Sequence, residues 1–125
     1  MIVIGAGNLG QAIANYTNFE KRGFVVKGLF DKNEALFGKK VREIEVLPMT
    51  QLKEFIADNN IEIAALTLPK HEAVKVAEEI VGYGIKAIWN FAHTDLQLPK
   101  EIVIENVHLS ESLMRLSYNL TRNNR

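Results

Sequence analysis

The chain has 125 residues, balances 15 basic side chains against 15 acidic ones and contains no cysteine. This length suits one domain with a real core, and zero net charge leaves no overall field to draw the chain to nucleic acid or a membrane surface. The lack of cysteine excludes disulfides, thiolate metal sites and a cysteine nucleophile, and no apolar run approaches the roughly 20 residues that span a bilayer. We therefore expect a cytoplasmic protein without a membrane partner.

The first predicted strand, Ile2 to Ile4, runs into a glycine loop and then into a helical pattern from Asn8 to about Tyr16. The loop has the Gly-x-Gly-x-x-Gly spacing of dinucleotide sites. In that motif the first glycine allows a tight turn, the second admits a pyrophosphate to backbone N–H groups, and the third lets the helix lie close to the sheet. By itself the spacing also fits an ordinary turn and helix start. The candidate contacts are Gly5, Ala6, Gly7, Asn8, Leu9 and Gly10.

The second predicted strand, Phe24 to Phe30, ends in Asp31, about 20 residues beyond the last glycine. A carboxylate at that distance accepts hydrogen bonds from the hydroxyls of the adenosine ribose. The alternative is a turn residue, because Asp31, Lys32 and Asn33 form a turn-like run. The combination of strand, glycine loop, helix, strand and acid predicts a nucleotide site that includes Asp31 and Lys32. Asp31 also favours an unphosphorylated ribose, hence NAD(H) over NADP(H).

The rest of the chain alternates strands and helices. Further strands are predicted at 44–46, where the strand is short and edge-like, and at 61–67, 85–90 and 102–106. Thr50 and Ser110 are the predicted N-caps of helices over 50–59 and 110–121, and the helix between them starts at Pro69 and stops at Gly82. The alternation predicts an α/β fold, a Rossmann-type doubly wound parallel sheet with strand order 3-2-1-4-5-6.

In such a sheet ligands bind beyond the carboxyl ends of the strands. Besides the glycine loop and Asp31, those ends carry residues 67–69, 90–92 and 107–109. We expect 90–92 to line the nicotinamide half of the crevice. The three histidines lack metal-ligand spacing, and no acid–base pair stands out, so we expect neither a metal site nor a catalytic residue.

Several short motifs together resemble the NAD(H)-binding domain of the Rex family of redox-sensing transcriptional repressors. They are 5–10, 14–16 with Phe19, 29–31, 66–69, 84–86, 90–92, 106–107 and 116–118. The resemblance implies a homodimer that senses the ratio of NADH to NAD⁺. NADH would close the dimer and release operator DNA, and NAD⁺ would bind more weakly. It also implies a C-terminal helix that is exchanged between the two subunits.

The resemblance further implies residue roles. Residues 1–109 would form the cofactor domain, and 110–125 the dimerisation helix and its tail. The walls around the nicotinamide ribose and ring would be Thr67, Leu68, Pro69, Asn90, Phe91 and Ala92, with Leu109 from the partner subunit. The contacts between subunits would include Leu113, Leu116 and Leu120, and Tyr16 would change partners between redox states. His108 stands where some members have an aspartate that meets this tyrosine, so it is either a cross-subunit group or an ordinary loop histidine.

Three points stay open at the level of sequence. Without the resemblance, the last helix would be expected to cover its own sheet. The fold alone also fits the cofactor domain of an NAD-dependent dehydrogenase or a coenzyme A-binding domain. Finally, the chain begins almost inside its first strand, so we expect upstream residues, and the resemblance implies that they form a winged-helix DNA-binding domain.

Overall fold

A computed structural model describes residues 1–16 and 18–123, in which seven strands form one sheet between helices. The strands are Ile2–Ile4 (β1), Gly28–Asp31 (β2), Lys40–Val41 (β3), Ile44–Pro48 (β4), Ile63–Leu66 (β5), Ala87–Asn90 (β6) and Val103–Asn106 (β7). The helices are Asn8–Asn15 (α1), Asn18–Lys21 (α2), Leu52–Asn59 (α3), Lys70–Gly82 (α4) and Leu109–Asn123 (α5). None of the helices described is long and apolar enough to cross a bilayer.

The strand order is β3-β4-β2-β1-β5-β6-β7, and every pair is parallel except β3 with β4. The predicted order is confirmed for the six parallel strands. The sheet is not wholly parallel, however, and the strand at 44–46 is not its edge. Arg42 and Glu43 both take left-handed backbone angles, with φ of 50° and 69°, and turn the chain back into a hairpin with Lys40 opposite Glu45. A two-residue strand has too few residues to show an alternating pattern.

The hydrophobic core has two halves because successive residues of a strand point to opposite faces of the sheet. Ile2 and Ile4 are fully buried on the face that α3 and α4 cover. Val3 is fully buried on the other face, against Ile13 and Ala14 of α1. This burial on both faces makes β1 the central strand and fixes the position of the loop that follows it.

Two predicted helix caps are wrong. Thr50 lies in a 3₁₀ turn, Met49–Gln51, that continues directly into α3, so no extended residue precedes the helix to cap it. The last helix begins at Leu109, so Ser110 lies inside it. The division of the chain between residues 109 and 110 stays a prediction. Pro69 immediately precedes α4. Residues 124–125 of the predicted tail lie outside the described residues.

Candidate nucleotide-binding site

The three glycines of the loop after β1 have different surroundings. At Gly5, φ is +110°, and a Cβ would lie 3.0 Å from the carbonyl oxygen of Thr67. At Gly10, a Cβ would overlap the carbonyl oxygen of Gly5. At exposed Gly7, a Cβ would meet nothing within 4 Å. Two glycines therefore allow close internal packing, and the third leaves open space above the loop.

The open space at Gly7 lies at the start of α1. Gly7 is the N-cap residue and has no side chain that could cap the helix; the first turn also has no acidic side chain. The first N–H groups of the helix and the positive end of its dipole are thus free for an anion. Gln11 braces the loop, since its Nε2 donates to the carbonyl oxygen of Ala6 at 2.8 Å.

Asp31, at the end of β2, is held against this loop. Its Oδ2 accepts a hydrogen bond from the backbone N–H of Ala6 at 2.7 Å, and its Oδ1 accepts one from Asn33 at 2.8 Å. Each carboxylate oxygen has a further lone pair, so the half-buried group can still accept from two hydroxyls. A pair of adjacent ribose hydroxyls is such a donor set.

Thr67, the residue directly after the neighbouring strand β5, supports the loop. Its hydroxyl lies 2.9 Å from the carbonyl oxygen of Gly5 and 3.1 Å from that of Ile4, and it donates to these acceptors. The family resemblance implied that Thr67 forms part of a wall around the nicotinamide ribose. In the structure its side chain lies under the glycine loop, so its visible role is to fix that loop. Leu68 is half-buried and Pro69 exposed along the path to α4.

At the other half of the crevice, Asn90 is fully buried and all its polar atoms are bonded. Its Nδ2 donates to the carbonyl oxygen of Thr94 at 3.0 Å and to Oδ1 of Asn106 at 2.9 Å, and its Oδ1 accepts from the N–H of Ala92 at 3.0 Å. Asn90 therefore shapes the loop that carries Phe91 and Ala92. Asn106, which faces it across the β6–β7 register, was missed because only pairing reveals it.

An aromatic cluster connects this loop to Tyr16. The ring centroids are 4.6 Å apart for Phe91 and Trp89, 5.6 Å for Trp89 and Phe19, and 4.7 Å for Phe19 and Tyr16, all edge to face. An apolar cavity of about 300 Å³ opens beside Phe19 and Trp89. This cavity reaches down to Met1 at the opposite end of the strands, so it is separate from the crevice.

Lys32 and Glu72 form an ion pair over the glycine loop. Lys32 follows β2 and is exposed, whereas Glu72 belongs to the first turn of α4 and its side chain is mostly buried. Because β1 lies between β2 and β5 in the sheet, the pair crosses from one side of that loop to the other.

The residues predicted to contact a second subunit are exposed. The exposed fractions are 51% for Tyr16, 67% for Leu113, 65% for Leu116 and 61% for Leu120. The Tyr16 hydroxyl accepts a hydrogen bond from Asn18 at 3.1 Å. The structure does not describe the side chain of Leu109, so its place in a pocket around the nicotinamide ring stays a prediction.

The exposed ring of His108 lies edge to face with that of His93, with centroids 6.4 Å apart. Among the described residues, no group of three or more potential ligands is placed to hold a metal ion. Burial, together with the charge of Lys27, lowers the pKa of the Met1 amine at the far end of the strands. The Met1 amine lies outside the crevice.

Residues 1–94 match the family model described as a CoA binding domain. A redox-sensing transcriptional repressor Rex from Caldanaerobacter subterraneus subsp. tengcongensis is 57% identical over 119 residues, which are 95% of this chain and 53% of that protein. The chain thus spans about half the length of the curated relatives it matches.

Solved structures agree with these sequence matches. RSP, a Rex-family repressor, in complex with β-NADH superposes with a TM-score of 0.92 at 54% identity, over 98% of this chain and 59% of RSP. RSP in complex with β-NAD⁺ and operator DNA superposes with a TM-score of 0.90, over 98% and 57%. The resemblance and the Rossmann-type fold predicted from sequence are confirmed. The chain therefore belongs to the CoA binding domain family, in which its relatives at 52–57% identity are Rex repressors.

Proposed function

We propose that this chain is the NADH- and NAD⁺-sensing domain of a cytoplasmic redox-sensing transcriptional repressor and is not an enzyme. The observation that carries the proposal is the open space at Gly7 beside the fixed carboxylate of Asp31. These groups fit a dinucleotide: the backbone N–H groups would hold its pyrophosphate, and Asp31 its adenosine ribose. The names of the relatives, and the complexes of RSP with β-NADH and with β-NAD⁺ and operator DNA, support the same conclusion.

The two redox forms differ in the charge of one ring. The oxidised nicotinamide carries a positive charge and the reduced ring is neutral, so an apolar, water-poor pocket disfavours NAD⁺ through desolvation. Half-buried Phe91 and buried Ala92 offer such a surface. We therefore assign the preference for NADH to this loop.

Response to the cofactor would require a second subunit. Helix α5 carries exposed apolar side chains at a helical spacing, Leu113, Leu116 and Leu120, and this pattern supports a helix that is exchanged within a homodimer. NADH binding would close this dimer and release operator DNA, which is held by a part of the whole protein that lies outside this chain. A cofactor shifts such an equilibrium only through different affinities for the two states.

Replacing Asp31 with alanine should weaken NADH binding by at least about tenfold to a hundredfold, because the loss of even one hydrogen bond to a charged group costs about 1.5–3 kcal/mol. Calorimetric titration with NADH, NAD⁺, NADPH and coenzyme A measures this change together with the ligand preference. Asp58→Ala removes an exposed carboxylate from the end of α3 and serves as the control.

Three results would contradict the proposal. The first is tighter binding of coenzyme A than of NADH, which the name of the matched family makes a specific rival. The second is equal affinity for NADH and NAD⁺, which would leave no redox signal. The third is an Asp31→Ala variant that binds NADH as well as the wild type does.

Replacing Leu113, Leu116 and Leu120 together with glutamine should convert the dimer to a monomer, since burial of each leucine contributes about 1.5–3 kcal/mol. Sedimentation velocity at micromolar concentration measures the change in mass. Asn119→Gln, on the same helix, should leave the dimer intact. A wild-type chain that sediments as a monomer, or a triple variant that stays dimeric, would refute this assignment of α5.

A further inference from the structure

The ion pair between Lys32 and Glu72 lies where the adenosine end of a cofactor would enter. Lys32 directly follows Asp31, whose carboxylate is bonded to the backbone of both Ala6 and Asn33. Its side chain therefore emerges beside the group that we assign to the ribose hydroxyls. The ammonium group then crosses the loop after β1 to reach Glu72 on α4.

The two side chains of this pair differ in freedom. The side chain of Lys32 is 69% exposed, so on its own it could turn toward any anion near Asp31. The side chain of Glu72 is only 17% exposed and is held at the start of α4. The position of the Glu72 carboxylate therefore determines where the exposed Lys32 ammonium group lies.

A basic side chain next to the ribose carboxylate is the feature by which dinucleotide sites accept a 2′-phosphate, and lysine binds phosphate as a compact charge. Lys32 has the position and charge for that role. In this chain the Glu72 carboxylate neutralises the Lys32 ammonium group, and the Asp31 carboxylate beside it repels a phosphate.

We propose that Glu72 is a specificity-determining residue that withholds Lys32 from a 2′-phosphate and so favours NAD(H) over NADP(H). The inference rests on the proposed function, because it assumes that the ribose is bound at Asp31. Asp31 disfavours the phosphate directly, and Glu72 removes the cation that would otherwise compensate for it.

The alternative to this proposal is that Glu72 only stabilises the fold. A carboxylate in the first turn of a helix interacts favourably with the helix dipole, and loss of that interaction costs stability. A structural role of this kind would change the free energy of unfolding without changing which of two closely related cofactors binds better. The ratio of two dissociation constants separates the roles.

The test is the variant Glu72→Gln, titrated with NADH and NADPH by calorimetry at low ionic strength. The ratio of the NADPH dissociation constant to that of NADH should fall about threefold to tenfold, and 0.5 M salt should reduce the change. Glu62→Gln is the matched control, because it removes the same charge from an exposed ion pair with Lys86, at 3.9 Å, near the opposite ends of the strands.

A second variant makes the result specific to Lys32. In Lys32→Gln/Glu72→Gln the ratio should return to within about twofold of the wild-type value, because no cation is left to release. Thermal melts of each variant report any structural cost separately.

An unchanged ratio in Glu72→Gln, or an equal change in Glu62→Gln, would overturn the inference. So would a lowered ratio that persists in the double variant. If the wild-type chain binds neither cofactor, the proposed function itself fails. If the wild-type chain binds NADH but Glu72→Gln has the same ratio of NADPH to NADH dissociation constants as the wild type, only the proposed role of Glu72 fails.

Discussion

Gly10→Ala should destabilise the domain by about 3 kcal/mol, the upper range for forcing an extra methyl group into a packed site. A Cβ at this position would overlap the carbonyl oxygen of Gly5 and would lie 2.8 Å from its carbonyl carbon. The loop cannot move away easily, because Thr67, directly after β5, donates a hydrogen bond to that oxygen, and its hydroxyl would itself be 3.1 Å from the new methyl group. Urea unfolding followed by circular dichroism measures the loss.

Gly7→Ala is the matched control for this change. Its φ of −75° is ordinary for any residue, and a Cβ meets nothing within 4 Å, so the free energy of unfolding should change by less than about 0.5 kcal/mol. The same methyl group would project toward the proposed pyrophosphate, and NADH binding should therefore weaken. A Gly10→Ala variant as stable as Gly7→Ala would show that the loop is less constrained than its contacts indicate.

The sequence was sufficient for those features that rest on local spacing. The glycine motif predicted the turn at Gly5, the close contact at Gly10 and the open position at Gly7, because each follows from the geometry of a strand that enters a helix. The alternation of strands and helices, together with the glycine motif, predicted the order of the six parallel strands. The same reasoning predicted Asp31 beside the loop, since neighbouring parallel strands bring their carboxyl ends together.

The features that were missed depend on pairing between distant segments. Thr67 supports the glycine loop because β5 adjoins β1, and nothing in its local sequence distinguishes this role from contact with a ligand. The hairpin at Arg42 and Glu43 uses two non-glycine residues in the left-handed region, where turn rules lead one to expect glycine or asparagine. The pairing of Lys32 with Glu72 likewise follows only from the fold.

Asn90 is fully buried, and its hydrogen bonds join the loop after β6 to β7. Asn90→Asp should lower the free energy of unfolding by about 2–4 kcal/mol. An ionised aspartate has no donor for the carbonyl oxygen of Thr94 or for Oδ1 of Asn106, and it would face both acceptors with a negative charge in a fully buried position. Urea unfolding at neutral pH measures the cost. Asn106→Asp is the control, because this exposed residue only needs to accept from Asn90.

The same substitution distinguishes positioning from direct contact at the proposed ring site. All polar atoms of Asn90 are bonded within the protein, to residues 92 and 94 of the loop and to Asn106 of β7, so NADH and NAD⁺ should bind more weakly because Phe91 and Ala92 move. A loosened apolar wall admits water, and the preference for NADH over NAD⁺ should then fall together with both affinities. If Asn90→Asp folds stably and retains the wild-type preference, the Asn90 hydrogen bonds do not shape the pocket that discriminates between the two redox states.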